Sequence, residues 1–410
     1  MTAQQSPASD FLKPQKYLKK GGTLGLIGLL GTIGAFSTDM YLPAAPGMAV
    51  YFNVPPSTIN MVLLVFFVFY AFGLLFWGPL SDKFGRKNIL MLSIGIYTLA
   101  SLACSLAPNI YILIFVRVFQ ALGAGGMSAT STALVKDCFD GRIRQKVLAI
   151  VQVIMVIGPM AAPVIGGQIL RFFTWRATFG ALVIFGILCF SLTLLLQDPL
   201  AKEDRSKASA FRSFGTLAVI VRNKSFVLFL AVAACFAFSY MAYIALGSYI
   251  YIDIFGLNEQ QYSFYFAVNS LFLAIGPVLY IRLIAKIKPW SFAFLFISLG
   301  ILAGILILLI GQISPLCFMI AFLPLTLVNS GLRPFNTNIL LNQYDGDTGS
   351  VAGVINFFHM AAGSVGTLVA TSIHLNYVTV IGLLSLICSL VSIGLAAYLK
   401  FAKVPIKSLQ

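Results

Sequence analysis

"GPLSDKFGRKNIL", residues 78–90, is a short polar and basic stretch between two long apolar runs, about 58–80 and 88–107. Its position decides how the chain is built. Crossing about 30 Å of hydrocarbon takes about 20 helical residues, and each flanking run is long enough to do so. The stretch is therefore expected to be a turn between two membrane spans. Gly85 relaxes the backbone there, and Lys83, Arg86 and Lys87 hold the turn on one face of the membrane.

Working outward from that turn, further apolar runs of spanning length lie at 22–45, 109–134, 146–170, 177–197, 225–252, 261–285, 290–311, 315–342, 350–374 and 377–400, which with the first two make twelve. Composition agrees: of 410 residues 59% are hydrophobic and 10% charged, which excludes an ordinary soluble globule. The net charge of +15 could suggest a nucleic-acid partner, but the placement of the cations does not. Alternate loops hold Lys83, Arg86 and Lys87; Lys136, Arg142, Arg144 and Lys146; Lys202, Arg205, Lys207, Arg212, Arg222 and Lys224; and Arg282, Lys286 and Lys288. The opposite loops hold only Arg171 and Arg176. This is the positive-inside asymmetry, so both termini are expected in the cytoplasm and no nucleic acid is needed. The first twenty residues have no apolar core, so no cleavable signal is expected. The six cysteines are far apart with no CxxC pair, which points away from a disulfide framework or a zinc site.

The longest polar interruption, "QDPLAKEDRSKASAFRSFG" at 197–215, divides the spans six and six. "GPVLYIRLIAKIK" from Gly276 echoes the Gly-Pro followed by a basic loop at Gly78. The expected architecture is all-α and integral to the membrane, with twelve transmembrane helices in two pseudo-symmetric six-helix bundles. It comprises a cytoplasmic segment 1–21, bundles 22–197 and 225–400, a cytoplasmic linker 198–224 and a tail 401–410.

Gly78, Leu80, Ser81, Asp82, Lys83, Gly85, Arg86 and Lys87 match the loop motif of the major facilitator superfamily, and the chain resembles that family. Gly78, Asp82, Gly85 and Arg86 would then form a conformational latch, with Asp82 set against the start of the eleventh span at Asp347–Ser350. "RVFQALGAGG" from Arg117 is similar to the family's fourth-span motif, with Ala121 in place of a glycine. "GPMAAPVIGG", with Gly158, Pro159, Pro163, Gly166 and Gly167, resembles the antiporter motif of drug/proton antiporters. Read from the residues alone, the two prolines bend a helix and the glycines admit a close neighbour. "DMYLPAAP", "WRATF" at 175–179 and "YIDIFGLNEQQYSFYFAVN" at 251–269 are similar to segments of the bicyclomycin/chloramphenicol-resistance subfamily. The resemblance implies the major facilitator fold in a bacterial cytoplasmic (inner) membrane, with alternating access. It also implies multidrug efflux of small, largely apolar or cationic compounds in exchange for protons.

Asp39 is the only carboxylate that can be placed inside a span. A charge at the centre of a membrane helix costs about 2.5–3.5 kcal/mol on insertion scales, so such acids usually serve a function. Helix rise places Asp39 about 28 Å from Lys20, and Arg117 roughly 12–14 Å below the outer turn, so a pairing of the two is geometrically possible. They are the expected proton-coupling residues. The alternative is an interfacial acid capping a helix that ends at Pro43. A substrate lining is expected from Tyr41, Tyr70, Gln120, Tyr240, Tyr243, Asn269, Arg333, Asn336, Asn356 and His359. Packing, or snorkelling in the case of Arg333, would account for several of these without a ligand. No metal, no cofactor beyond the proton and a monomer are expected. Absence of GxxxxGK[ST] and HExxH motifs argues against an enzyme. A proton symporter and a non-transporting membrane sensor remain as rival readings.

Overall fold

A computed structural model describes residues 15–139, 141–200, 203, 205, 222–343, 348–402 and 406. Twelve helices among these residues are long and apolar enough to cross a membrane. The first span is broken: α1 (Lys19–Asp39) gives way to a 3-10 turn at Leu42–Ala44 and then to α2 (Ala45–Phe52). It runs to Phe52, beyond the expected end at 45. Pro43 and Pro46 sit in the first turns of new helical segments, where a missing N–H costs nothing, so the chain changes pitch there instead of stopping.

The turn expected from "GPLSDKFGRKNIL" is shorter than its polarity suggests. Helix α3 (Pro56–Phe84) carries Gly78 through Phe84, and α4 (Arg86–Ser105) starts immediately after Gly85. A single residue reverses the chain. Gly85 has φ +96°, a conformation that a Cβ would strain.

The first half is completed by α5 (Ile110–Cys138), α6 (Gly141–Phe172) and α7 (Trp175–Leu195). The second comprises α8 (Lys224–Tyr249) with a π-turn at Ile250–Ile254, α9 (Glu259–Ile284), α10 (Pro289–Ile310), α11 (Pro315–Leu341), α12 (Thr348–Ser372) and α13 (Tyr377–Phe401). The same partners recur in each half: first span with fifth, second with fourth, third with fourth and sixth. This repeated pairing makes the two six-helix bundles pseudo-symmetric. Across the halves, the second span of each packs on the fifth of the other, as α3 with α12 and α9 with α6.

Twelve crossings place the start of the first span at Lys19 and the end of the last at Phe401 at one end of the molecule, the basic end, where the Lys- and Arg-rich turns lie. At the opposite, far end the two halves are joined by hydrogen bonds, beside a surface cleft lined by residues of both. Gln260 Nε2 donates to the Gly167 carbonyl at 2.8 Å and the Tyr249 hydroxyl to the Ala45 carbonyl at 3.4 Å, both between halves. Toward the basic end lies a small cavity among α8, α11 and α12.

Candidate functional site

The far end of α1 meets α5 through Arg117. This guanidinium is 0% exposed. Its Nη1 donates to the Ser37 carbonyl at 3.0 Å and to Gln120 Oε1 at 2.6 Å, and its Nε to the Val62 carbonyl at 3.3 Å. The rings of Phe66, Tyr41 and Phe179 lie 4.3, 5.0 and 5.7 Å from its central carbon. Carbonyl dipoles and aromatic faces thus compensate the cation, although Nη2 keeps no hydrogen-bond partner among the described residues. Gln120 is itself held by donation to Ser101 Oγ at 2.8 Å.

Asp39 lies two residues beyond Ser37 and is 5% exposed, the only buried carboxylate among the described residues. Its one hydrogen bond comes from Thr38 Oγ1 at 2.7 Å. The pairing that helix rise allows does not form: no ion pair joins Asp39 to Arg117. The arginine's donors are spent on the Ser37 carbonyl of α1, the Val62 carbonyl of α3 and the Gln120 side chain of α5. Asp39 instead lies within electrostatic range of Tyr240 and Tyr262 of the second half, which places it at the seam between bundles.

The other expected lining residues fall into two groups. Arg333, Asn336, Asn356 and His359 share the cavity, joined by Asn329 and Phe236. The remainder are engaged in packing or hydrogen bonds. Tyr41 stacks on Phe179 at 5.6 Å, and the Tyr70 hydroxyl donates to Ser128 Oγ at 2.8 Å. Tyr240 and Tyr243 lie 6.2 and 3.9 Å from Phe322. Asn269 Oδ1 accepts from Thr326 Oγ1 at 2.7 Å, while its Nδ2 has no partner among the described residues. Gln120, wholly buried between Arg117 and Ser101, reaches no cavity.

In α6 the Gly-Pro stretch is where the fifth span meets both halves. Pro163 has no N–H to give the carbonyl of Pro159, and Ser270 Oγ of α9 approaches that carbonyl at 3.5 Å. A Cβ on Gly166 would stand 1.9 Å from the Met40 carbonyl oxygen; one on Gly167 would stand 2.5 Å from Ser263 Oγ. A Cβ on Gly158 would stand 3.3 Å from Thr32 and 3.4 Å from Ala35, tight but less so than at Gly166 or Gly167. Gly166 thus sets α6 against the end of α1, and Gly167 sets it against the other bundle.

At the basic end Arg86 is the centre of a cluster. It pairs with Asp82 one turn back and with Asp137 of α5 at 2.7 Å, and its backbone N–H donates to Asp198 at 3.3 Å. Asp82 is 47% exposed, and the Asp347 expected near it lies outside the described residues. Asp198, itself paired with Arg205 at 3.3 Å, covers Gly85, where a Cβ would nearly touch both side chains. Sequence reading missed Asp137 and Asp198, though each is an acid in a strongly basic turn, which is the available signal. It also missed Thr38, Phe66 and Phe179, which nothing in their local sequence marks. Among the described residues no three His, Cys, Asp or Glu side chains gather as a metal site.

Residues 27–367 match the Major Facilitator Superfamily. The chain is 29% identical over 345 residues to the MFS-type transporter YdgK of Bacillus subtilis, covering 83% of this chain and 86% of that protein. It is 26% identical over 353 residues to the bicyclomycin resistance protein homolog of Haemophilus influenzae, with 84% and 88% covered. It is 27% identical over 365 residues to the chloramphenicol resistance protein of Pseudomonas aeruginosa, with 86% and 85% covered. Among solved structures, a peptide transporter POT in complex with sulfate superposes with a TM-score of 0.73 at 15% identity, covering 94% of this chain and 96% of that one. A D-xylose-proton symporter gives 0.71 at 13%, covering 90% and 96%. The same fold is therefore shared at very low identity. With twelve spans, mirrored helix pairing and a family match over most of its length, the chain belongs to the Major Facilitator Superfamily and is a multi-pass membrane transporter, not an enzyme.

Proposed function

We propose that the chain is a proton-coupled multidrug exporter of the bicyclomycin/chloramphenicol-resistance (Bcr/CflA) kind. It works as a monomer in the bacterial cytoplasmic membrane, with the basic end inside and the proton as its only coupling ion. The names of two relatives, a bicyclomycin resistance protein homolog and a chloramphenicol resistance protein, support the substrate class. The observation that carries the coupling is Asp39: a buried carboxylate with no cation paired to it, placed where the far end meets the seam between bundles.

In the state described, a compound enters from the basic end and fills the cavity. Closure at that end and opening of the far end then expose the same passage to the other side. Asp39 takes a proton from outside as the compound leaves and releases it inside after return. A ligand shifts such an equilibrium only by binding its two states unequally, so proton and substrate must favour different occupied states. Arg117 acts by holding the end of α1 in place through the Ser37 carbonyl, not by pairing with the acid.

The test uses purified protein in liposomes with an internal pH dye and chloramphenicol as substrate. Proton movement on addition, lost in Asp39→Asn, is the expected result. Uphill, proton-coupled export retained in full by Asp39→Asn would remove the assignment.

A further inference from the structure

Arg117 and Arg333 are both deep in helices, and they are treated in opposite ways. Arg117 has three acceptors and three rings around it. Arg333, eighteen residues into α11, lies about 27 Å from the far end of that helix and about 12 Å from its basic end. It is exposed, borders the cavity, lies within electrostatic range of Tyr70 of α3, and makes no hydrogen bond or ion pair with any described residue. The amides of Asn329, Asn336 and Asn356 line the same space and likewise form no side-chain hydrogen bond with the described protein. His359 lies within electrostatic range of Arg333. Among the described residues no carboxylate lines the cavity.

We propose that this cavity is a subsite for a small organic anion, in which Arg333 and the three amides hold the acidic group of the exported compound while Phe236 and the neighbouring aliphatic side chains take its apolar body. This rests on the exporter reading and narrows its substrate class. A guanidinium offers five N–H donors in a planar fork that matches carboxylate or sulfonate oxygens, and three further amides aimed at one space add donors without adding charge. The sequence-level expectation included cationic compounds. A cation in this cavity would meet an uncompensated like charge with no acid in the lining to offset it, so the cavity selects against cations. Snorkelling gives no account of the three unspent amides, which carry no charge to bring to an interface.

The test is equilibrium binding to the purified full-length chain in detergent, with three probes of one shape: 1-naphthalenesulfonate, 1-naphthamide and the trimethyl(1-naphthylmethyl)ammonium ion. The sulfonate is expected to bind at least about tenfold more tightly than the ammonium ion, the difference one charge-assisted contact supplies. Arg333→Gln should remove that preference while leaving the amide's affinity unchanged, which also shows that the variant is folded. Arg333→Lys should retain part of it. Sulfonate binding that is no tighter than that of the ammonium ion, absent, or indifferent to Arg333→Gln overturns the subsite. Because no proton gradient is involved, the result is separable from the exporter reading: charge-selective binding without proton movement in liposomes would sink antiport and leave the subsite. Proton-coupled export of chloramphenicol with charge-indifferent binding would do the reverse.

Discussion

Arg117 shows what a buried cation demands when no carboxylate is supplied. Three hydrogen bonds and three ring faces converge on it from α1, α3, α5 and α7, and Gln120 provides the shortest of those bonds at 2.6 Å. Gln120→Leu keeps the volume and removes the acceptor. It should cost about 1.5–3 kcal/mol, the range for a hydrogen bond to a charged group. A lowered midpoint of thermal unfolding in detergent checks this, and an unchanged midpoint would mean that the ring faces alone satisfy the arginine. The sequence made Asp39 and Arg117 stand out because an ionisable residue in an apolar run is conspicuous. Their separation was not legible. Two of the three acceptors Arg117 found are backbone carbonyls, and carbonyls carry no residue identity.

At the scale of a helix, the apolar runs were easy to read and their interruptions were not. Pro43 looked like an end and is a change of pitch; "GPLSDKF" looked like a loop and is the last turns of α3. Polarity reports contact with water, and a helix can leave the membrane without unwinding. The Gly-Pro stretch of α6 was read as a bent packing helix, and its close contacts give that reading a measurable edge. The Gly166 Cβ position faces a backbone oxygen that no rotamer change can move. Gly166→Ala should therefore force α6 away from α1 and lower the unfolding midpoint by several degrees, about 1–3 kcal/mol for overpacking. Gly180→Ala in α7, with open space around the glycine, should leave the midpoint unchanged. Equal midpoints for the two variants would show that the contact relaxes freely.

At the scale of the whole molecule, the mirrored pairing of the two halves grew from a single Gly-Pro echo in the sequence, which was thin because symmetry lies in which helices touch rather than in which residues recur. The cavity was legible in part: Arg333, Asn336, Asn356 and His359 fell on suitable faces of two helices, while Gln120 and Tyr41 were polar for reasons internal to one bundle. The far end is held across the halves by the Gln260 and Tyr249 bonds. Removing both, as Gln260→Ala with Tyr249→Phe, gives up about 1 kcal/mol each and should raise the far-end-open population by roughly tenfold to thirtyfold. Spin labels on Asn53→Cys and Asp253→Cys, which flank the far-end cleft, in a chain freed of its six native cysteines, should then show a longer distance gaining weight. An unaltered distribution would place the closing free energy elsewhere in the seam.

The one-sided closure also decides where an applied voltage acts. In the proposed cycle, water entering from the basic side would carry that side's electrical condition into the molecule and concentrate the voltage drop across the layer at the far end instead of spreading it over about 30 Å of hydrocarbon. If access alternates as proposed, that drop moves to the opposite end. Charges held near the passage, at Asp39 or Arg333, then pass from one side's electrical level to the other's while moving little in space. The work of about 2.3 kcal/mol per elementary charge per 100 mV is delivered in the rearrangement itself. Voltage would accordingly govern how fast and how far the halves rock, more than how tightly either end binds its ligand.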